Sequence, residues 1–413
     1  MRVAIVGGGV SGIVAAARLH PRHEITLFES QARLGGHAHT VAVARQDTKW
    51  QIDMGFVVLN DRNYPRFRGL LEEAAVALQP THMGFSVRAE EEDFEYAGTP
   101  RGVFCQRSNL ARPAFWRMLA DLLRFNRTLA QIVRGAREEG RSLAQFVEEG
   151  GYSRWFIERL IVPQVSAVWS ADPASLGAFP VRFLAEFLDN HGMLGFRDRP
   201  QWQTVVGGSR SYVDALSAPF ATRVRLATAV ESIRREDTGV TLRLGNGVAE
   251  RFQEVVLACH ADQALALLED PSDAERALLG AFPYKANEAT LHTDAALLPR
   301  RLAGRQAWNF HLFREPPSVP TVTYYMNHLQ RLAAPEDFCV SLNMAEHIDP
   351  ARVIRRVSFA HPVFTPAGIA AQARWSEISG VRRTHYCGAY WGWGFHEDGA
   401  DSALRAVSRL EQR

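Results

Sequence analysis

The hydrophobic pattern at the start of the chain predicts a strand, a helix and a second strand. Residues 2–6 form a short apolar run followed by three glycines, which is typical of a buried parallel strand. Residues 10–19 are rich in alanine and have helical spacing, and Pro21 predicts the end of that helix. Residues 24–28 form a second apolar run. This β-α-β order indicates a parallel sheet with a right-handed crossover.

The pattern changes further along the chain. From about residue 64 to residue 199, apolar positions recur with helical spacing, for example at 115–125 and 143–146. Beyond that stretch, short apolar runs predict strands, and Asn246-Gly247 forms a turn between two of them. These strands are predicted at residues 202–206, 223–226, 228–233, 240–244 and 254–258.

The last part of the chain returns to the α/β pattern, with a strand at 385–387, a glycine-rich loop at 388–399 and a helix at 400–410. We therefore expect an α/β fold in which a doubly wound, Rossmann-like domain is interrupted twice by a second domain of helices and mixed sheet. The predicted segments are 1–63, 201–265 and 379–413 for the first domain, and 64–200 and 266–378 for the second.

Length and composition are those of a soluble protein with two domains: 413 residues, 46% hydrophobic and 22% charged. The net charge of +2 is too small to favour a nucleic-acid partner. The four cysteines lie far apart and predict neither a disulfide framework nor a zinc ribbon. No apolar run approaches the ~20 residues of a membrane-spanning helix, and the first strand leaves no room for a signal peptide. We expect a cytoplasmic protein.

The turn after the first strand matches G-x-G-x-x-G through Gly7, Gly9 and Gly12. The first glycine permits a tight turn, the second lets backbone approach a pyrophosphate, and the third lets helix and strand pack closely. The helix amino terminus then faces the phosphates. Glu29, 22 residues after Gly7, is placed to bind a ribose. The alternative is an ordinary α/β turn with a surface glutamate.

The turn alone does not separate NAD from FAD, although Glu29 argues against a cofactor with a 2′-phosphate. A second glycine pair follows in the stretch 33–37, Arg-Leu-Gly-Gly-His, and Asp-Met-Gly follows at 53–55. With Glu29, these residues resemble the flavin-dependent amine oxidase superfamily, which includes protoporphyrinogen oxidase and the phytoene desaturases. The resemblance covers nearly the whole chain. It is strongest to bacterial NAD/FAD-binding oxidoreductases associated with cyclopropane fatty acid synthases.

The resemblance implies non-covalent FAD and assigns residues to its parts. The pyrophosphate, the adenine ribose, the adenine, the flavin ring and the ribityl end each receive a group of residues. The residues for the pyrophosphate are Gly7, Gly9, Ser11, Gly12, Gly35, Gly36 and His37. Glu29 and Ser30 would hold the adenine ribose, and Val230 the adenine. Gly55, Phe56 and Val57 would lie beside the flavin ring, and Gly388, Glu397, Asp398 and Gly399 at the ribityl end.

Four features depart from the family pattern. His37 stands where the family often has arginine, which predicts a weaker or pH-dependent pyrophosphate contact. Lys285 is displaced by two or three positions from the lysine that amine oxidases carry under the flavin. Ala389 replaces an acid after Gly388, and no cysteine lies where a covalent flavin link would form. These departures weaken the case for amine oxidation and leave the case for FAD intact.

Aromatic side chains among the glycines near the carboxyl terminus are candidates for contact with a substrate. Tyr390, Trp393 and Phe395 either face the substrate or pack the loop. His396 either moves a proton near the flavin or makes a structural hydrogen bond. The other histidines lack metal-ligand spacing, so no metal is predicted.

Residues 115–127 form a basic amphipathic stretch. It either packs on its own domain or contacts anionic lipid, which would make the protein peripheral to the membrane. We expect an FAD-dependent oxidoreductase that transfers hydride from a C–H bond of an apolar substrate, such as a fatty acyl chain or an isoprenoid. Amine oxidation and a non-catalytic flavin-binding partner of a lipid-modifying enzyme are the alternatives.

Overall fold

The computed structural model describes residues 1–45, 48–89, 91–135, 140–169, 177, 180–195, 199–314 and 321–412. The strands, numbered in chain order, are β1 (Arg2–Val6), β2 (Glu24–Phe28), β3 (Thr40–Arg45), β4 (Thr48–Asp53), β5 (Val58–Asn60), β6 (Leu78–Pro80), β7 (Phe85–Ala89), β8 (Phe94–Ala97), β9 (Trp202–Val205), β10 (Val224–Arg225), β11 (Val230–Glu236), β12 (Gly239–Leu244), β13 (Ala249–Phe252), β14 (Glu254–Leu257), β15 (Tyr284–His292), β16 (Trp308–Leu312), β17 (Val322–Tyr325), β18 (Cys339–Leu342), β19 (Val353–Pro362) and β20 (Thr384–Tyr386).

The α-helices are α1 (Val10–Leu19), α2 (Pro65–Glu73), α3 (Pro100–Val103), α4 (Pro113–Val133), α5 (Leu143–Glu149), α6 (Arg154–Phe156), α7 (Val162–Trp169), α8 (Val181–Asn190), α9 (Arg210–Ser217), α10 (Ala261–Leu267), α11 (Asp273–Leu279), α12 (Met326–Leu329), α13 (Pro366–Gln372) and α14 (His396–Glu411). A π-helical turn, Ile157–Ile161, joins α6 to α7.

A parallel sheet in the order β10-β2-β1-β14-β20 forms the nucleotide-binding part of the fold. Its strands are buried on both faces, since α1 and α14 pack on one side while the small β11-β12-β13 sheet and helices cover the other. Val3 and Ile5 point to one side, and Ala4 and Val6 to the other. This burial explains the continuous apolar runs of β1 and β14 and confirms the predicted α/β fold.

A seven-stranded mixed sheet in the order β19-β15-β18-β17-β16-β7-β8 forms the second part of the fold. We call this sheet and the helices packed on it the second layer system. Helices α4 and α8 and the α6–α7 segment pack with the sheet around one large apolar core. Phe115, Phe125 and Phe156 are completely buried in that core. Two smaller sheets, β3-β4 and β5-β9-β6, lie between the two main ones in sequence.

Several predicted boundaries are wrong. The glycine-rich loop ends at Phe395 rather than at residue 399, because α14 begins at His396. The backbone N–H of Phe395 donates to the Asp398 carboxylate across 2.8 Å, and this contact closes the first turn of the helix. Residues 228–229 lie before the strand that begins at Val230, since Thr228 N–H bonds back to Glu29.

Candidate functional site

A cavity of about 1760 Å³ runs from the carboxyl ends of the parallel strands to the space beneath the helices of the second layer system. Open α/β sheets bind ligands at this end of their strands. Most of the predicted cofactor residues line the cavity: Gly7, Gly9, Ser11, Glu29, Ser30, Gly35, Gly36, His37, Gly55, Phe56, Val57, Val230 and Gly388.

The three glycines of the first turn have the geometry that their spacing predicts. Gly7 has a φ of +107°, and a Cβ there would meet the Ala258 carbonyl at 2.7 Å. A Cβ on Gly12 would lie 1.8 Å from the Gly7 carbonyl, so this glycine lets helix and strand pack closely. At Gly9 nothing lies within 4 Å of an added Cβ, which leaves room for a ligand at the middle glycine.

The amino terminus of α1 is suited to an anionic ligand. No side chain caps it, and its first turn has no acidic residue. Val10 and Ser11 line the cavity at this terminus. The unpaired N–H groups and the helix dipole therefore favour a phosphate, and the observed space at Gly9 fits a pyrophosphate.

Glu29, at the end of β2, is held by the backbone around the turn. Its Oε2 accepts from Gly8 N–H at 2.7 Å, and its Oε1 accepts from Gln31 N–H at 2.8 Å. The Ser30 hydroxyl lies 3.3 Å from Oε1. A carboxylate has about four lone-pair sites, so Glu29 retains capacity to accept from ribose hydroxyls.

The second glycine pair packs directly against the first turn. Gly35 N–H donates to the Gly8 carbonyl at 2.8 Å, and a Cβ on Gly36 would meet the Gly9 Cα at 3.1 Å. Both glycines have positive φ. The Arg33 guanidinium donates to three carbonyl groups of this loop, those of Leu34, Gly36 and Ala38. Arg33 therefore holds the pair in the conformation that supports the turn.

His396 lines the cavity but is buried, with a relative exposure of 9%. Its ring stacks on Phe56 with centroids 3.7 Å apart, and its Nε2 is 2.9 Å from the Tyr212 hydroxyl. Burial lowers the pKa of His396 to about 3, so the imidazole is neutral at pH 7. The structural hydrogen bond is thus present, and a proton-transfer role for His396 stays a prediction.

The side chains of Glu397 and Asp398 point away from the cavity. Glu397 accepts from the backbone N–H groups of Arg66 and Phe67, at 2.9 and 2.8 Å, and so caps α2. Asp398 closes the first turn of its own helix. Gly399 and Gly12 lie outside the lining as well, and Gly399 packs against α1, where a Cβ would meet Val10 at 2.7 Å. These carboxylates therefore stabilise α2 and α14, and a contact of this segment with the cofactor stays a prediction.

The other aromatic candidates line the cavity in two ways. Phe395 stacks on Phe187 with centroids 5.8 Å apart, and Trp393 meets the same ring edge-on. Tyr390 is buried beside Phe282 and contributes less surface to the cavity wall. Phe395 and Trp393 therefore form an aromatic wall between the cofactor end of the cavity and α8.

A polar chain that sequence reasoning missed reaches the cavity at His361, on β19. Glu288 N–H donates to Asn343 Oδ1 at 2.9 Å, which leaves the Asn343 amide nitrogen to donate to Asn287 Oδ1 at 2.8 Å. The Asn287 amide nitrogen then donates to Nδ1 of His361 at 3.0 Å. Because Nδ1 accepts, Nε2 carries the proton of the neutral ring.

His361 is therefore a fixed hydrogen-bond donor in the cavity wall. Burial and the neighbouring His260 lower its pKa to about 4, so the ring is neutral at pH 7. Asn287 is buried within β15, but that strand also carries Lys285, Glu288, Thr290 and His292, so the sequence pattern did not distinguish this asparagine. Lys285, two residues earlier, pairs with His361 in the sheet register and does not line the cavity.

Two further histidines crowd the same region. The His37 ring lies 5.1 Å from that of His361 and 6.1 Å from that of His260. Burial, and then repulsion from these neighbours, lowers the pKa of His37 well below its ordinary value. The ring donates to the Ala360 carbonyl, so the buried Nε2, which has no hydrogen-bond partner among the described residues, is the acceptor nitrogen of the neutral ring, and a bound donor would satisfy it. In the described part of the chain, no three potential ligands are placed to hold a metal.

Away from the cofactor end, the cavity has an apolar wall that we call the apolar arm. Val340 and Leu342 project from one face of β18, because alternate residues of a strand share a face. Opposite them, α4 and the π-helical turn contribute further apolar side chains. The arm includes Val103, Leu119, Leu122, Leu160, Trp308, Met326, Leu329, Val340, Leu342 and Phe364.

Acidic side chains are confined to the cofactor end of this cavity. Among the described lining residues the only carboxylates are Glu29 and Asp53. Glu29 holds the phosphate-binding turn, and Asp53 accepts hydrogen bonds from Thr40, Ser209 and Gln330. By contrast, exposed arginines line the cavity where it meets solvent, at Arg199, Arg355 and Arg356. The apolar arm therefore lacks a counter-ion for a cationic substrate.

Comparison with known proteins agrees with this geometry. Residues 10–311 match the family model described as flavin containing amine oxidoreductase. AofH of Mycobacterium tuberculosis, which is provisionally named a flavin-containing monoamine oxidase, is 24% identical over 265 residues, or 60% of this chain and 54% of that protein. The match therefore spans about half the length of this relative.

Solved structures share the fold across almost the whole chain. Cyclohexylamine oxidase from Brevibacterium oxydans superimposes with a TM-score of 0.69 at 16% identity, covering 99% of both chains. The CLA-producing fatty acid isomerase from P. acnes gives a TM-score of 0.69 at 14% identity, covering 99% of this chain and 98% of that one.

Proposed function

Because this chain belongs to the family of flavin-containing amine oxidoreductases, we propose that it is an FAD-dependent oxidoreductase acting on an apolar substrate that is neutral or anionic. The bound flavin would supply a two-electron acceptor for hydride leaving a C–H bond, and a second acceptor would reoxidise it. A fatty acyl chain or an isoprenoid has the required shape and polarity.

The apolar arm is the observation that carries this proposal. It continues from the cofactor end without a carboxylate, so a chain of methylene or methyl groups would bury there and exclude water. An ammonium group would lose its hydration in the arm and gain no ion pair. Exposed arginines at the cavity's solvent edges would instead favour a carboxylate. The fatty acid isomerase with the same fold is compatible with such a substrate.

Three parts of the chain have separate roles in this proposal. Phe395 and Trp393 would orient the substrate between the arm and the cofactor end. His361 would hold a proton on Nε2 and present it as a hydrogen-bond donor. The neutral ring would stay a donor through the physiological pH range, because its pKa is about 4.

Amine oxidation is the second candidate, and the similarity to AofH favours it. Its substrate would be an amine bound in the neutral form, since the arm offers no carboxylate to the charged form. Both reactions would leave the flavin reduced. They differ in the substrate that reduces it.

Anaerobic titration of the purified holoprotein tests the proposal. Oleate, linoleate, an isoprenoid alcohol, cyclohexylamine and putrescine would be added separately, and the loss of visible flavin absorbance followed. We expect reduction by one of the apolar substrates and none by the amines. Reduction by the amines alone would establish amine oxidation instead. Reduction by no member of either class would favour a non-catalytic flavin-binding protein.

Leu122→Trp adds a geometric test, because Leu122 lines the apolar arm. We expect it to slow reduction by a long acyl chain more than reduction by a short one. Val248→Trp adds similar bulk at an exposed turn and is the matched control. Equal effects of the two variants on long and short substrates would contradict the placement of the substrate in the arm.

A further inference from the structure

Large hydrophobic side chains are exposed together on one side of the second layer system. Of the ten such side chains that are exposed in the described chain, five belong to this group, which we call the α4 surface: Phe104, Leu110, Trp116, Leu123 and Leu302. Monomeric proteins seldom expose adjacent apolar side chains without a partner.

The members of the α4 surface are held next to one another. The rings of Phe104 and Trp116 lie 6.2 Å apart, and Trp116 Nε1 donates to the Leu110 carbonyl at 2.9 Å. Leu123 follows Trp116 by seven residues on α4, so both lie on the same face of the helix. Leu302 lies on the turn Leu302–Gly304, which contacts α3 just before Phe104.

The opposite face of α4 packs into the core through Phe115, Met118, Phe125, Leu129 and Ile132. Packing on its own domain therefore explains one face of the amphipathic stretch at 115–127. It leaves Trp116, 48% exposed, and Leu123, 53% exposed, on the solvent side of the helix.

Positive charge is concentrated in the same segment. Residues 98–135 hold seven arginines and one acidic residue, whereas the remaining chain has more acidic than basic residues. The single acid, Asp121, is buried and already paired with Arg117 and Arg124. The arginines are Arg101, Arg107, Arg112, Arg117, Arg124, Arg127 and Arg134.

We propose that the α4 surface docks on an anionic lipid bilayer. Its aromatic and aliphatic side chains would enter the interfacial region, while the surrounding arginines would bind lipid phosphates. Charge complementarity selects an anionic bilayer, because a purely apolar partner would leave the arginines desolvated and unpaired.

The apolar arm of the cavity lies next to the α4 surface, so docking would bring the cavity close to the bilayer. Val103, Leu119 and Leu122 line the arm from α3 and α4. α4 also carries the exposed Trp116 and Leu123, and the exposed Phe104 directly follows α3. A docked protein would therefore have its cavity directly above the acyl region of the bilayer. Binding at the α4 surface does not depend on which substrate the cavity takes.

Co-sedimentation of the holoprotein with vesicles tests the docking. Wild type is expected to bind vesicles that contain phosphatidylglycerol and to stay in solution with pure phosphatidylcholine. Trp116→Ser/Leu123→Ser should weaken binding about tenfold through lost apolar burial. Arg107→Gln/Arg127→Gln/Arg134→Gln should weaken it about fivefold for each charge removed. All three arginines are exposed, and none has a side-chain hydrogen bond to another described residue.

Matched controls carry the same changes elsewhere on the protein. Val206→Ser/Val248→Ser removes two other exposed apolar side chains, and Arg223→Gln/Arg243→Gln/Arg276→Gln removes three other exposed charges. Unchanged flavin absorbance and thermal midpoint would show that each variant is folded. Docking is refuted if wild type does not co-sediment with anionic vesicles, or if the control variants bind them as weakly as the α4 variants do. Equal retention on RNA, insensitive to the serine variants, would mean a general polyanion site instead.

Discussion

The Asn287 side-chain amide donates to Nδ1 of His361 across 3.0 Å, and this contact determines which ring nitrogen faces the cavity with a proton. The orientation of Asn287 follows from that of Asn343, which is set in turn by the backbone N–H of Glu288. A donor in the wall of the cavity is thus anchored in the backbone of β15. Such anchoring keeps a polar group in one orientation before any ligand arrives.

Replacing Asn287 with aspartate should reverse this arrangement. A carboxylate beside Nδ1 favours the charged imidazolium, so the pKa of His361 should rise from about 4 toward its ordinary value. Histidine-selective ¹⁵N NMR over a pH series, with His361→Gln to assign the signal, would measure this pKa. Asn246→Asp, in an exposed turn, is the control and should leave the His361 signal unchanged. An unshifted signal in Asn287→Asp would mean that the amide does not control the ring.

Glu29→Ala should weaken FAD binding without unfolding the protein. The variant loses charge-assisted bonds to ribose hydroxyls, and a hydrogen bond to a charged group contributes roughly 1.5–3 kcal/mol. This corresponds to about a ten- to more than a hundredfold rise in the dissociation constant, measured by fluorescence titration of the apoprotein. Loss of the bond to Gly8 N–H should add to the effect, because that bond holds the phosphate-binding turn. Glu148→Ala, on the exposed face of α5, is the control, and equal affinities would show that Glu29 does not contact the cofactor.

Asp53 should make stability depend on pH. Burial raises its pKa from 3.8 to about 6, so folding favours the protonated form. The stability from this group is fully present below about pH 4 and is lost as the pH rises through about 6. The shift corresponds to roughly 3 kcal/mol. Urea unfolding of the apoprotein should therefore show wild type losing stability relative to Asp53→Asn between pH 4 and pH 7.

Asp214→Asn removes a carboxylate that is 65% exposed and should show no such pH-dependent difference from wild type. If the curves for wild type and Asp53→Asn run parallel across this range, the pKa of Asp53 is close to its ordinary value.

FAD should leave the protein on denaturation. Cys259 is the one cysteine that lines the cavity in the described chain, and burial raises the pKa of its thiol to about 12. The thiol stays protonated at neutral pH, and a protonated thiol is a poor nucleophile. Acid precipitation should leave all the flavin in the supernatant, for wild type and for Cys259→Ser alike. Flavin that precipitates with wild type and is released by Cys259→Ser would establish a covalent link at this residue.

Residues adjacent in sequence determined the parts of the site that depend on local backbone geometry. Gly7, Gly9 and Gly12 form one turn, so their spacing alone predicts its conformation and the helix terminus that follows. Glu29 lies at the end of the next strand, where a β-α-β unit brings it back to that turn. An α/β fold and a dinucleotide cofactor follow from these short-range relations, whereas the choice of FAD was implied by the family resemblance.

Only the tertiary structure decided what surrounds the substrate. Asn287, Asn343 and His361 lie on different strands or loops of one sheet, and their contacts depend on strand order and register, which local patterns leave open. The packing of α14 against α2 places the Glu397 carboxylate on the start of α2, a side-chain contact that the sequence pattern did not indicate. The apolar side chains of the arm look in the sequence like ordinary core residues. They line a cavity because α4 and β18 lie on opposite sides of it. A side chain that packs against another element and a side chain that lines a cavity give the same hydrophobic pattern in the sequence.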